Sequence, residues 1–514
     1  MKKIFLTVLL ILSSLFSLQS VSASQGLGDI PIQNHGRIKP FTAYARESLQ
    51  FVSGKDHWRG QDAVSFLIVN LDHPGIFLEL PLIRVDYLPL KKMLGLSADE
   101  NYFSYAQLAS IRAPLTALVQ SSGEKRNKDN RPSALEQHAE TLYQRIIMVE
   151  ALSTGETITV IPAEGAWHSP FKAAGTQADA FKHLTHTVAV KSPEASTELA
   201  QWLASVDPLL EKGMGTRIKY ESLYYQLQPF YYAWILYLIG FFCLLLAKPL
   251  TQSVGKTLIF GGFAFHTAGL LLRWVVLMRP PVANMYETMI FMDWVLMFTV
   301  GIFVVIKKRT AFLSSGTLVS ALVMLYARLL PVDQSLDVLS PVLRSSYWLT
   351  VHVIVIISSY SLFAFAMAVS HRHLFLSTKM TPQEDQVSAD TIYRLLQAGL
   401  IALGAGTILG GIWANEAWGR FWGWDPKETW AFITFLGYMA ILHLRYSKKL
   451  DNFALAVSGI LGFLLVLMTW YGVNFVLGRG MHSYGSGSGG LQWIIYFLIF
   501  EAVFLGIVFL KRKT

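Results

Sequence analysis

WANEAWGRFWGWDPKETW, residues 413–430, gathers five tryptophans, two glycines, one aspartate and one proline into a single stretch. It stands between two apolar runs, 394–413 and 429–446. Each run approaches the roughly 20 apolar residues that a helix needs to cross the hydrocarbon core of a bilayer. The stretch therefore reads as a connection between two membrane helices, and this reading decides the fold. Indole rings pair an apolar face with a polar N–H and suit the membrane–water boundary. An aromatic belt would explain isolated tryptophans. Five of them in one connection, with Gly419 and Gly423 allowing close backbone approach, point instead to a surface on which a large planar apolar ligand lies.

The rest of the chain extends that reading. Of its 514 residues 53% are hydrophobic, 13% aromatic and only 15% charged, too apolar for an ordinary soluble protein. Nine stretches are long enough to span: 229–247, 257–278, 287–306, 311–330, 348–369, 394–413, 429–446, 453–473 and 491–510. The net charge of +9 does not indicate nucleic acid, because Lys and Arg fall in short clusters between the apolar runs and form no continuous patch. The clusters are Lys248 with Lys256, Lys307 to Arg309, Arg372 with Lys379, Arg445 with Lys448 and Lys449, and Lys511 to Lys513. They alternate regularly in side, which places all five in the cytoplasm by the positive-inside rule. The tryptophan stretch, Pro280 to Glu287, Tyr347 to His352 and the segment around His482 then face outward. Cys243, the single cysteine, lies inside an apolar run. That excludes a disulfide framework, a CxxC redox pair and a CxxCH attachment site in this chain, so any thiol chemistry uses a partner's thiols.

Residues 1–23 carry Lys2 and Lys3, an apolar stretch and small residues at Val21 and Ala23, the pattern of a signal peptide, cleaved or retained as an anchor. Residues 24–226 are predicted to be an exported domain, mostly helical, with helical periodicity over Ser133–Ser153 and Ser192–Leu210 and a short strand at Thr157–Ile161. Its histidines, His35, His57, His138, His168, His183 and His186, are scattered and read as surface or packed residues. Residues 227–514 form the multi-span membrane domain. The predicted fold is thus an all-α polytopic membrane protein with about nine transmembrane helices behind a mostly helical exported domain.

Two histidines frame the tryptophan stretch on the same side: His352 begins a span, and His482 lies in GRGMHSYGSGSGG. Neutral imidazoles can fill both axial positions of a haem iron while the tryptophans cover the porphyrin. Either histidine alone is as well explained by an interfacial hydrogen bond; together with the tryptophans they favour the ligand. His443 sits inside the seventh span towards its cytoplasmic end, where an ionisable side chain is a functional candidate. His266, in mid-span, reads as a packing residue bonded to a neighbouring Thr or backbone group. His371 and His373 fall at a cytoplasmic turn and are expected to be solvated. Asp293 with Glu287 is placed to brace the outer site. Arg344, Arg420, Lys427 and Arg479 are outward cations able to meet carboxylates, although each is equally a solvated loop charge.

The run WGRFWGWDPKETW, His443 in YMAILHLRY and His482 in MHSYG, with PPVANMYETMIF and SSYWLTVHV upstream, resembles the haem-handling proteins of cytochrome c biogenesis that carry the tryptophan-rich WWD signature. The resemblance covers roughly the last 290 residues. It looks most like the CcsA/ResC type of the system II cytochrome c synthase, which implies a subunit of an enzyme of haem-lyase type. It implies haem b as substrate and ligand, His352 and His482 as axial ligands of its iron, and a receiving surface of Trp418, Trp422, Trp424 and Asp425. It also implies that His443 contributes to haem passage. The partners implied are a CcsB/ResB-type subunit, an apocytochrome c with its CxxCH motif, and thiol-reducing proteins, in a bacterial inner membrane with the haem site facing the periplasm. A haem exporter that hands its cargo to a separate lyase is the alternative. The exported domain, including GRIKPFTAYARESL at 36–49, departs from the smallest members of the family.

Overall fold

A computed structural model describes residues 26–127, 132–246, 248–306, 308, 310–330, 334–336, 346–477 and 491–513. His482, Arg344 and Arg479 lie outside the described residues. The chain divides at Leu227/Gln228 into two compact units.

The first unit is built on helices α1 (Phe41–Ser53), α2 (Ala63–Asn70), α3 (Leu88–Leu94), α4 (Arg112–Asn127), α5 (Ala134–Ser153), α6 (Thr176–Ala189), α7 (Ala195–Val206) and α8 (Met214–Leu227). Three antiparallel two-stranded ladders accompany them: β1 (Pro31–Asn34) with β2 (Arg37–Pro40), β3 (His57–Trp58) with β4 (Gln61–Asp62), and β5 (Ile83–Arg84) with β6 (Tyr102–Phe103). The helix predicted from Ser133 begins with a capping box: Ser133 Oγ accepts from the Glu136 N–H and Glu136 accepts from the Ser133 N–H. Lys125 and this cap together hold the Glu136 carboxyl down to about 2. The expected strand at Thr157–Ile161 is absent. Thr159 bonds to Gln33 and Ile161 forms a single bridge with His168, and Pro162, which has no N–H, follows at once.

The 36–49 motif has a structural task. Arg37 makes a two-pronged pair with Glu221 at 2.7 and 2.6 Å, Arg46 Nη1 donates to the Tyr225 carbonyl at 2.8 Å, and the Tyr225 hydroxyl donates to Glu47 at 3.2 Å. Its charges therefore clamp α8, a bidentate Arg–carboxylate pair being the strong kind of ion pair. The histidines of this unit behave as expected of ordinary residues; His138, for example, stacks on Tyr87 at 4.1 Å.

The second unit contains α9 (Pro229–Leu245), α10 (Pro249–Leu277), α11 (Met285–Val305), α12 (Leu313–Leu329), α13 (Ile354–Leu376), α14 (Pro382–Trp418), α15 (Pro426–Tyr446), α16 (Asn452–Leu467) and α17 (Leu491–Lys513). Among the described residues, eight helical stretches are long and apolar enough to cross a membrane. The ninth expected span, α15, is helical throughout but is diluted by Thr429, Thr434, Tyr438 and His443. The protein is an all-α polytopic membrane protein. Its centre is α13, packed against α11, α12, α14 and α16 and buried on all sides, as expected of a helix that is apolar all round.

Candidate functional site

A cavity opens among α13, α14, α15, the continuation of α16 and the segment before α11. Its space amounts to about 1060 Å³ counted to the atom surfaces and including the open mouth. From α13 and the turn before it come His352, Ile356 and Tyr360. These stand at i, i+4 and i+8, the spacing that lines one helix face. From α14 come Thr407, Gly410 and Trp413; from the connection Phe421 and Trp422; from α15 Lys427 and Glu428. Thr469, Trp470 and Asn474 close the far wall, and Val282 to Met285 with Thr288 the remaining side.

Two walls of the cavity are π-helical. Leu349–Val353, which carries His352, and Met468–Leu477, which carries Trp470 and Asn474, have the wide turn that recurs at functional sites. His352 Nδ1 lies 2.8 Å from the Gly406 carbonyl oxygen. A carbonyl only accepts, so this bond puts the proton of a neutral ring on Nδ1 and the lone pair on Nε2. The ring is packed by Trp413 at 5.8 Å between centroids and needs Gly410 beside it. A Cβ there would lie 2.6 Å from Cε1, so any larger residue would displace the imidazole.

The connection is shorter than the 413–430 stretch. Helix α14 runs on through Trp418 and stops where Gly419 takes a left-handed φ of 70° and donates its N–H to the Asn415 carbonyl. Helix α15 then starts at Pro426. Asp425 accepts from the Lys427 and Glu428 N–H groups at 2.9 and 3.0 Å, and Glu428 bonds back to the Asp425 N–H. Trp422 faces the cavity with its buried Nε1–H lacking an acceptor among the described residues. Trp424 turns away: it is 68% exposed and its φ of 56° is left-handed, a strained conformation for a bulky side chain. Trp418 closes α14 half-buried and does not line the cavity, and Asp425 is a helix cap. The structure thus brings His352 and Trp422 together and leaves Trp418, Trp424 and Asp425 outside.

The segment Val282–Met285 is held from behind by a buried ion cluster centred on Glu287, the expected brace, with two arginine partners that the sequence does not reveal. Glu287 accepts from Arg273 at 2.9 Å and from Arg279 at 2.7 Å, and also from the Ala283 N–H at 2.8 Å. Arg273 further donates to the carbonyls of Gln334 and Ser335. Nothing in the sequence pairs these residues, since Arg273 lies inside an apolar run and Arg279 just beyond it. Asp293 is separate from this cluster, accepting from Ser320 at 2.7 Å and lying 3.8 Å from His266. His266 is fully buried, and its Nε2 donates to the Ile290 carbonyl at 2.8 Å, a backbone partner of the kind expected for packing.

The other membrane histidines divide. His443 is exposed near the end of α15, its Nδ1 bonded to the Met439 carbonyl at 2.9 Å. It is remote from the cavity: 15 residues separate it from Glu428, roughly 22 Å along a helix. His371 and His373 are not solvated at a turn. Helix α13 continues to Leu376, His373 is 1% exposed with Nε2 at 3.3 Å from Asp385, and His371 Nε2 bonds Glu501 at 3.0 Å. Trp470, Asn474 and Tyr360 were also missed as lining groups; the one available signal is that Trp470 and Asn474 recur at i, i+4.

Comparison with known proteins gives consistent results. A family described as Cytochrome C assembly protein matches residues 282–482, a segment that contains every residue lining the cavity. The protein NrfI of Wolinella succinogenes is 30% identical over 508 residues, covering 91% of this chain and 55% of its own length. The chain therefore spans about half the length of that relative. The cytochrome c biogenesis protein CcsA of Prochlorococcus marinus strain MIT 9301 is 37% identical over 252 residues, 43% of this chain and 80% of its own length. The CcsA of Manihot esculenta is 34% identical over 269 residues, 43% of this chain and 83% of its own length. On this evidence the chain belongs to the cytochrome c assembly family, as a cytochrome c biogenesis protein of the CcsA type.

Proposed function

We propose that this chain binds haem b in the cavity beside the tryptophan connection and presents it for covalent attachment to the CxxCH segment of an apocytochrome c. The observation that carries the reading is His352. Its bond to Gly406 directs a lone pair to Nε2, in a cavity walled by Trp413, Trp422, Phe421 and Trp470. Those residues suit a planar, largely apolar metal chelate: an imidazole for the iron, aromatic faces for the ring, and a buried Trp422 N–H without an acceptor among the described residues. His482 is the proposed second axial ligand.

Attachment adds each of two cysteine thiols across a vinyl group. For each, the S–H bond and the vinyl π bond break as an S–C and a C–H bond form; no atom is lost and no net oxidation occurs, so the thiols must arrive reduced. Haem supplies the reactive vinyl groups and iron; the chain supplies orientation. Locking the ring plane between aromatic walls and the iron at His352 holds the vinyl groups in place for the incoming thiols, the kind of positioning that can contribute several kcal/mol. His443 is proposed as a contact on the route of haem to the cavity. Its exposure leaves it accessible to lipid or to a partner subunit of CcsB/ResB type. The cavity is proposed to face the periplasm of a bacterial inner membrane, on the evidence of the five basic clusters.

The test is co-expression of the chain with a CxxCH apocytochrome and the partner subunit, scored by covalent haem on a denaturing gel. Covalent haem that depends on this chain supports the reading. Haem reaching the periplasm without covalent product would make the chain an exporter. Within the connection, Trp422→Ala is expected to lower haem occupancy several-fold, whereas Trp424→Ala leaves occupancy and membrane level near wild type and reduces only covalent yield. Asp425→Ala is expected to cost about 1 kcal/mol through the lost cap. Haem content, thermal melting in detergent and cytochrome yield of the three variants check this, and equal loss of haem in the two tryptophan variants would contradict the division between them.

A further inference from the structure

Lys427 is the one cation among the described residues that line the cavity. It lies in the first turn of α15, half-buried, with Nζ donating to Asn474 Oδ1 at 3.0 Å. Asn474 is in turn fixed by its own Nδ2 bond to the Trp470 carbonyl at 3.1 Å. No carboxylate forms an ion pair with Lys427 Nζ among the described residues. Glu428 also lines the cavity, but its Oε2 is engaged by the Gly423 and Asp425 N–H groups at 2.7 and 3.3 Å. The other described cations near the site are committed elsewhere. Arg273 and Arg279 share Glu287, and Arg420 folds over Gly423 and does not line the cavity.

Asp425, the neighbouring carboxylate that favours the Lys427 charge through space, is already spent on the α15 cap, so an ammonium group set among aromatic and apolar walls with one neutral hydrogen-bond acceptor is better satisfied when a further anion completes its surroundings. We propose that Lys427, positioned by Asn474, is the carboxylate subsite of the cavity and holds an anionic edge of the bound ligand. Resting on the haem reading above, this assigns the carboxylates to the haem propionates. It also gives the cavity a polarity, with a charged edge towards α15 and the π-helical segment and the opposite, apolar edge left for the reacting vinyl groups. An ammonium serves here as a point charge with several donors, one spent on Asn474 and the rest available.

The test uses the full-length protein, purified and stripped of haem, titrated with haem and with haem dimethyl ester, whose propionates are neutral. Wild type is expected to bind haem about tenfold more tightly than the ester. Lys427→Met should erase that preference by weakening haem and leaving the ester within about twofold, and Lys427→Arg should keep it. Asn474→Ala should reduce the preference in part. If wild type binds both ligands equally, or if Lys427→Met weakens both alike, the subsite is overturned while the haem reading stands. If wild type binds neither, both fall together.

Discussion

His352→Ala, purified from membranes, is expected to carry at least about tenfold less haem than wild type, given that even outer-shell partners of metal ligands are worth 10–100-fold in affinity. The residual absorption spectrum should shift, and added imidazole should restore much of the binding. Imidazole can do so because the substitution leaves a ring-sized space between Gly410 and Trp413 with the Gly406 carbonyl still aimed into it. Gly410→Ala should mimic part of the defect with His352 intact, since its Cβ would press on the ring from 2.6 Å. Unchanged haem content and spectrum in His352→Ala, at normal protein level, would show that this histidine does not bind the iron.

The second large effect concerns stability. Glu287→Ala removes the shared partner of Arg273 and Arg279 and leaves two buried guanidinium groups without the carboxylate that they share. Breaking a buried ion pair from one side costs about 3–5 kcal/mol, a large share of a total stability of order 5–15 kcal/mol, so the level of folded protein in the membrane should fall. Replacing all three residues by apolar ones of similar size should be milder, because no unpaired charge remains. Thermal melting in detergent and membrane level of the single and triple variants give the comparison. A melting point for Glu287→Ala equal to that of wild type would contradict the bracing role. Since Glu287 also holds the Ala283 N–H at 2.8 Å, surviving protein should bind haem less well through a displaced cavity wall.

What could be read from the sequence follows from the range over which each signal acts. Span positions depend on local apolar runs, and eight of the nine expected spans meet the requirement of length and apolarity. The start of α15 was equally local: aspartate, proline and glutamate in DPKE form a cap within four residues. The end of α14 was not anticipated at Trp418 because aromatic residues hide a helix end, and the decisive breaker is Gly419. His371 and His373 lie in a run of polar residues that resembles the exit from the bilayer, and only the carboxylates of other helices, Glu501 and Asp385, pair with them. The same limit applies at the cavity. His352 and Trp422 stand out in their own segments. Trp470 and Asn474 do not, since their role depends on a π-helical turn and on Lys427, 47 residues away.

The most direct test of the account is a cryo-EM map of the haem-loaded protein. The account predicts density for a macrocycle between Trp413, Trp422 and Trp470, with its iron against His352 Nε2. Stoichiometric haem found instead on the exposed face of Trp424, or anywhere that leaves His352 bonded only within the protein, would contradict it.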